Sequence, residues 1–173
     1  NFGYAIQTIT RVDTEAPVAT VEDFDIGCGE YDASAEYGSY EYSDNCLSDI
    51  TVSWMQVSVD PEDIGCFDVQ REYTFTDGCG NESTVIQTVH VLDVDAPVMD
   101  EVAAEITLQC GDDLPAAPGA IDACSSSEVT FADVDNGVSC SGAMNFIRTY
   151  TATDGCGNAV SASMSVNYMD SID

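Results

Sequence analysis

Two stretches of this chain, REYTFTDGCGN (71–81) and RTYTATDGCGN (148–158), are variants of one another, and they do not stand alone. Each runs on into a similar segment: IQTVHVLDVDAPV (86–98) after the first, SMSVNYMDSID (163–173) after the second. A third copy, IQTITRVDTEAPV (6–18), lies near the start, and Asn1, Asn81 and Asn158 align without a gap through to Asp13, Asp93 and Asp170. Earlier in each repeat SDNC (43–46) corresponds to IDAC (121–124). Self-similarity at a fixed period means one structural unit used repeatedly. The expectation is two full repeats of about 80 residues, at 16–95 and 96–173, preceded by an orphan strand and linker at 1–15.

The repeats read as β. Ala162, Met164, Val166 and Tyr168 alternate with Ser161, Ser163, Ser165 and Asn167, the period of a half-buried strand. Val69, Arg71, Tyr73 and Phe75 share one face, as do Phe146, Arg148, Tyr150 and Ala152. No segment shows an apolar period of 3.6 residues with caps. Asp-Gly and Asn-Gly pairs punctuate the chain at short intervals, and Ala-Pro pairs mark the joints. The predicted fold class is all-β: two tandem immunoglobulin-like β-sandwich repeats, disulfide-stapled, with an extra N-terminal β-strand.

Charge and cysteine content narrow the function. The chain has 3 Lys+Arg against 32 Asp+Glu, a net charge of -29, and this removes nucleic acid and anionic bilayers as partners. No apolar run approaches the ~20 residues of a membrane span, so no membrane insertion is expected. The eight cysteines, Cys28, Cys46, Cys66, Cys79, Cys110, Cys124, Cys140 and Cys156, fall four to a repeat with no CxxC spacing. His90 is the single histidine. Zinc ligation is therefore not indicated, whereas disulfides and an extracellular compartment are.

The Cys-Gly-Asp-Asp-Leu-Pro start (110–115), Asp122-x-Cys124, the Arg-x-Tyr-x-Ala-Thr-Asp-Gly-Cys-Gly-Asn segment (148–158) and the Asp-x-x-Ala-Pro joint together resemble HYR-like immunoglobulin-type repeats. Such repeats occur in tandem in secreted and surface proteins of Bacteroidetes-type bacteria. The resemblance implies an extracellular array used as stalk, adhesin or matrix, and no enzyme. In the immunoglobulin-like order it also implies that the Asp-x-Cys and Asp-Gly-Cys loops of a repeat share one end. The expected bridges are then Cys46–Cys79 and Cys124–Cys156, leaving Cys28–Cys66 and Cys110–Cys140. Four cysteines allow three pairings per repeat, so the others stay open.

The same order gathers acids at the joints: Asp13 and Glu15 near Asp44 and Asp77, and Asp93 and Asp95 near Asp122 and Asp154. Converging carboxylates repel unless a cation lies between them, and Ca²⁺, with about six to eight oxygen ligands, suits such a cluster. The joint sequence is also similar to the calcium-binding linkers of cadherin-type arrays. Ca²⁺ is the expected cofactor; a solvated acidic surface is the alternative.

Three further features bear on partners. Residues 2–12 have strand character but no partner strand in the pattern: either they belong to a longer array whose preceding repeat lies upstream, or Phe2, Tyr4, Ile6 and Thr8 join the sheet of a neighbouring copy, building a head-to-tail polymer, which is the expectation. Tyr31, Tyr37, Tyr40 and Tyr42 place half of the eight tyrosines in one acidic loop. Tyr37 and Tyr40 could instead serve a carbohydrate-binding or adhesive module. Asp170-Ser171-Ile172 resembles the Asp-Ser/Thr-aliphatic O-glycosylation site of Bacteroidetes-type secreted proteins, with Ser171 as acceptor.

Overall fold

A computed structural model of the chain describes residues 3–10, 12–46, 49–59, 65–138 and 144–169. Phe2, Cys140 and Ser171 lie outside them. The first repeat forms β1 (Val18–Val21), β2 (Phe24–Gly27), β3 (Tyr40–Ser43), β4 (Thr51–Val59), β5 (Phe67–Thr76) and β6 (Glu82–Leu92). The second forms β7 (Val98–Met99), β8 (Glu105–Gln109), β9 (Ala120–Ile121), β10 (Ser127–Val138), β11 (Met144–Asp154) and β12 (Ala159–Met169). Strand order repeats as faithfully as the sequence. A β1–β3 pair accompanies a sheet ordered β2-β6-β5-β4, and a β7–β9 pair accompanies a sheet ordered β8-β12-β11-β10. The fold is all-β, with tandem immunoglobulin-like units.

Alternation becomes burial. Along β5 the residues Val69, Arg71, Tyr73 and Phe75 are buried, and along β12 Met164 and Val166 are. Each buried Val, Phe or Met side chain contributes about 1.5–3 kcal/mol. In the second repeat, Tyr150, Met164 and Val166 form a cluster against which Ile106, Leu108, Val129 and Phe146 pack. The Asp-Gly-Cys-Gly-Asn segments turn β5 into β6 and β11 into β12, with Gly80 (φ 91°) and Gly157 (φ 92°) in the left-handed region that glycine enters without strain. β12 pairs antiparallel with β11 and parallel with β8, Ser165 opposite Glu105 through Met169 opposite Gln109.

The chain divides into two compact units: Asn1–Asp25, Asp32–Asp60 and Asp68–His90 in the first, Ile26–Tyr31, Pro61–Phe67 and Val91–Asp173 in the second. Two short internal segments of the first sequence repeat, and its last residues 91–95, therefore cluster with the second.

The disulfides explain that division and correct the pairing expected from the sequence. Cys28 is bonded to Cys124 (Cα–Cα 6.0 Å) and Cys66 to Cys156 (5.8 Å), each joining one sequence repeat to the other. Cys28–Cys66, Cys46–Cys79 and Cys124–Cys156 are not formed. The loops carrying Cys124 and Cys156 do adjoin, since the Gly155 N–H donates to Ser125 Oγ at 3.2 Å. Their cysteines nevertheless turn to Cys28 and Cys66. Cys66 precedes β5 and Cys79 follows it, and the ten residues of β5 put roughly 30 Å between its ends. Gly65 fixes the approach: a Cβ there would lie 2.8 Å from the Cys124 carbonyl oxygen. Cys110 is disulfide-bonded, and Cys79 is an exposed free thiol.

Residues 3–10 form no strand in the single chain. Tyr4 and Ile6 are 95% and 94% exposed. A lone segment gains no ladder hydrogen bonds, so water satisfies its backbone instead.

Candidate metal centres

The Asp-Gly-Cys-Gly-Asn turn is organised by its aspartate. Asp77 Oδ1 accepts hydrogen bonds from the N–H groups of Cys79 and Asn81, both at 2.8 Å, and Oδ2 accepts one from Asn81 Nδ2 at 2.8 Å. Asp154 repeats this with Cys156 N–H (2.9 Å), Asn158 N–H (2.8 Å) and Asn158 Nδ2 (2.9 Å). The second hydrogen of each asparagine amide reaches a joint carbonyl, that of Asp13 at 3.3 Å and that of Asp93 at 3.1 Å.

Two further aspartates are held beside each turn by the same device. Asp44 Oδ1 accepts from Cys46 N–H (2.8 Å), and Asp122 Oδ1 accepts from Cys124 N–H (2.8 Å) and Ser125 N–H (3.0 Å). At the joints, Asp13 Oδ1 accepts from Glu15 N–H and Asp93 Oδ1 from Asp95 N–H, both at 3.2 Å. One carboxylate oxygen of each is thus engaged locally.

The result is two triads, Asp13/Asp44/Asp77 and Asp93/Asp122/Asp154, each with an oxygen from every member within 4.8 Å of the others. Asp13 Oδ2, Asp44 Oδ2 and Asp93 Oδ2 are buried without a hydrogen-bond partner. Asp93 is only 9% exposed, and Asp77 and Asp154 are 5% and 7%. A buried unpaired carboxylate oxygen is costly, and three close carboxylates compound the cost by repulsion. The ion pairs found among the described residues, His90–Asp68 and Arg148–Asp133, touch neither triad.

Electrostatics differ within a triad. Hydrogen bonds from the Asn81 amide and neighbouring N–H groups hold Asp77 below the usual carboxylate range, against burial. Burial pushes Asp154 up but is outweighed by hydrogen bonds from Asn158, Cys156 and Gly157, so its net shift is downward. Asp93 moves upward, through burial first and then the charges of Asp122, Asp154 and Asp95. A hard dication fits this donor set of carboxylate oxygens.

Six of the eight carboxylates expected as ligands converge. Glu15 and Asp95 do not enter the triads; the Glu15 carboxylate instead accepts a hydrogen bond from Asn45 Nδ2. The asparagines at 81 and 158 were visible in the repeated motif, but their grip on the joint backbone was not.

The tyrosine-rich loop is folded over its own repeat. Tyr37 stacks on Phe24 (5.6 Å between centroids), and Tyr40 packs on Tyr73 and Phe75. Arg71, fully buried, lies 4.8 Å from the Tyr37 ring and 4.3 Å from the Trp54 ring, and donates to the Ala33 and Ala35 carbonyls. Gln87, also fully buried, donates to the carbonyls of Glu22 (2.8 Å) and Tyr37 (2.9 Å) and accepts from the Tyr73 hydroxyl (3.2 Å). Arg148 makes a two-point pair with Asp133, both contacts at 2.7 Å, beneath the Phe131 ring. Among the described residues, no helix is long and apolar enough to cross a membrane.

No protein-family model matches the chain, and no curated protein does. Solved structures with a similar arrangement of strands include cadherin ectodomains. Drosophila N-cadherin EC1-4 is 14% identical, with 89% of this chain and 49% of that chain covered, at a TM-score of 0.42. Protocadherin Gamma C5 EC1-3 is 15% identical (88% and 68% covered, TM-score 0.37). Human mucin-like protocadherin EC1-2 is 10% identical (91% and 100% covered, TM-score 0.34). The chain spans about half the length of the N-cadherin structure. These are likenesses of β-sandwich architecture and carry nothing about ligand or partner.

Proposed function

We propose that the chain is a non-enzymatic, extracellular structural or adhesive module that assembles head-to-tail with copies of itself, and that each aspartate triad takes one Ca²⁺ ion. The observation that carries the calcium reading is the recurrence of the same triad in both repeats, with buried, unpartnered oxygens turned into it. Bound Ca²⁺ supplies the positive charge that lets three carboxylates share one small space. The protein's part is to hold them there: Asn81 and Asn158 tie the turn to the joint backbone, so filling a triad stiffens the joint.

Disulfides support an oxidising, extracellular setting, and the HYR-like motif set agrees with a surface or secreted array. Assembly draws support from residues 3–10, whose apolar side chains face solvent. By alignment this segment corresponds to β6 and β12, which lie inside their sheets. In a neighbouring copy that place is held by the neighbour's own β12, so the available contact is a sheet edge. The edge strand β10, with Phe131 56% and Val134 63% exposed, offers one.

Titration calorimetry with Ca²⁺ should give two bound ions per chain, one lost in Asp13→Asn and the other in Asp93→Asn. No heat of binding at millimolar Ca²⁺ would remove the calcium reading. Electron microscopy of the chain lacking residues 1–12 should show loss of fibres, and unchanged fibres would reject the strand contact.

A further inference from the structure

The second triad is built on disulfides. Asp122 Oδ1 accepts from the Cys124 N–H at 2.8 Å and Asp154 Oδ1 from the Cys156 N–H at 2.9 Å. Both cysteines are bridged, Cys124 to Cys28 and Cys156 to Cys66. The third member, Asp93, lies against one of the bridges: a carboxylate oxygen and the Sγ atoms of Cys28 and Cys124 are within 4.8 Å of one another. Asp93 is 9% exposed, and its Oδ2 is buried without a hydrogen-bond partner. All of these residues belong to the second compact unit. The two turns are also tied to each other, because the Gly155 N–H donates to Ser125 Oγ at 3.2 Å. At Gly65, next to Cys66, a Cβ would lie 2.8 Å from both the Cys124 carbonyl oxygen and Ser125 Cβ, so the segment bearing one bridge backs the turn bearing the other. In the first triad the corresponding turn cysteine, Cys79, holds Asp77 through its N–H while its thiol is free.

We infer that the second calcium site is under redox control: the Cys28–Cys124 and Cys66–Cys156 bridges hold its three carboxylates in place for the ion, and opening them weakens that ion's binding while the first site keeps its own. This rests on the calcium reading above and adds what regulates one of its two sites.

The opening step is reduction by a dithiol. One thiolate of the dithiol attacks a sulfur of the bridge, and the other cysteine leaves as a thiolate that takes up a proton. The second thiolate of the dithiol then displaces the first cysteine, and the dithiol closes into its own cyclic disulfide. The two cysteines have gained two electrons and two protons, and the dithiol has lost them. Two thiols cannot remain at bonding distance. Cys124 therefore moves, and with it the N–H aimed at Asp122 and the sulfur packed beside Asp93. Groups that orient metal ligands from behind carry about 10–100-fold in affinity, and a loss of that order is expected at the second site. Linkage makes the effect reciprocal: Ca²⁺ raises the resistance of the two bridges to reduction by the same total factor. A factor of ten corresponds to about 30 mV for this two-electron couple.

The test uses the full chain in titration calorimetry with Ca²⁺. The oxidised parent should bind two ions. Cys28→Ser combined with Cys124→Ser should weaken one of them about 10-fold or more and leave unchanged the ion that Asp13→Asn removes. Should that double variant fail to fold, the parent is equilibrated in mixtures of reduced and oxidised dithiothreitol with and without Ca²⁺, alkylated with iodoacetamide, and read at Cys28 and Cys124 by peptide mass spectrometry. Ca²⁺ should shift the balance toward the bridge, and the shift should persist in Asp13→Asn and vanish in Asp93→Asn. Two ions bound with affinities indifferent to the double substitution, or a reduction balance that Ca²⁺ does not move, would overturn the redox control and leave the calcium reading standing. Protection lost equally in Asp13→Asn would assign it to general stabilisation of the chain and overturn the inference as well. No binding of Ca²⁺ by the oxidised parent would remove the calcium reading itself.

Discussion

Asn158 donates one amide hydrogen to Asp154 Oδ2 and the other to the backbone carbonyl of Asp93, so a side chain in the β11–β12 turn holds the joint from which the repeat begins. Asn81 does the same for Asp77 and Asp13. Replacing Asn158 by Ala leaves a buried carboxylate oxygen and a carbonyl short of a donor, a cost of about 1–3 kcal/mol. Urea denaturation should show the midpoint falling with an unchanged slope. A midpoint equal to that of the parent chain would mean water replaces the amide freely.

Arg71 anchors the loop between β2 and β3. Arg71→Lys keeps the charge but loses the planar group that stacks between Tyr37 and Trp54 and the fork that reaches two carbonyls. A loss of about 2–4 kcal/mol is expected. The local sign is faster cleavage by a glutamate-specific protease at Glu36, which lies in that loop. An unchanged cleavage rate would show that ring packing alone holds it.

Gln87→Leu has a similar volume and a larger apolar surface, yet it should destabilise by about 2–3 kcal/mol, because the Glu22 and Tyr37 carbonyls lose their shared donor. Tyr73→Phe removes the hydroxyl that donates to Gln87 and should cost about 0.5–1.5 kcal/mol. Thermal melts that rank the two in the opposite order would contradict the assignment of Gln87 as the centre of this network.

His90 Nδ1 lies 2.7 Å from Asp68 Oδ1. That hydrogen bond raises the imidazole pKa above its ordinary 6.5, against partial desolvation and with help from the Asp68, Asp25 and Asp23 charges. The folded state therefore holds the proton more tightly. The pair's contribution is complete below the unfolded value and is lost as pH rises through the folded one. With the two side chains 37% and 48% exposed, its size should be under about 1 kcal/mol and shrink with salt. In Asp68→Asn the imidazole titration followed by NMR should move to lower pH; a stationary midpoint would assign the shift elsewhere.

Asp133 runs the other way. Hydrogen bonds from Arg148 lower its pKa against burial, so its contribution is present above the ordinary 3.8 and disappears as pH falls through the folded value. Asp133→Asn should flatten the acid limb of the stability profile in that range. An unchanged limb would place the acid sensitivity of the second repeat elsewhere.

Strand faces were legible because a period of two needs only the residue types: Val69-x-Arg71-x-Tyr73-x-Phe75 turned out buried at each marked position. The triads were legible because the repeats supplied two independent copies of the same acids. Disulfide partners were not. Spacing within a repeat says nothing of cysteines in the other repeat, and it is those, Cys124 and Cys156, that Cys28 and Cys66 bond. Gln87 was hidden for another reason. A glutamine in a polar-looking stretch reads as surface, and only the approach of Glu22 and Tyr37 makes it interior. Glu15 and Asp95 stand outside the triads because adjacency to an aspartate in sequence does not turn a side chain toward the same point.

The parallel pairing of β8 with β12 has a mechanical consequence. β8 lies near the beginning of the second repeat and β12 near its end, so a pull on the two termini of that repeat drags these neighbours in opposite senses along their common axis. The register from Ser165–Glu105 to Met169–Gln109 is then strained all at once rather than peeled one rung at a time. Rupture under such loading requires the rungs to fail together, so the rate of that step, and not the equilibrium stability, sets the force the repeat withstands.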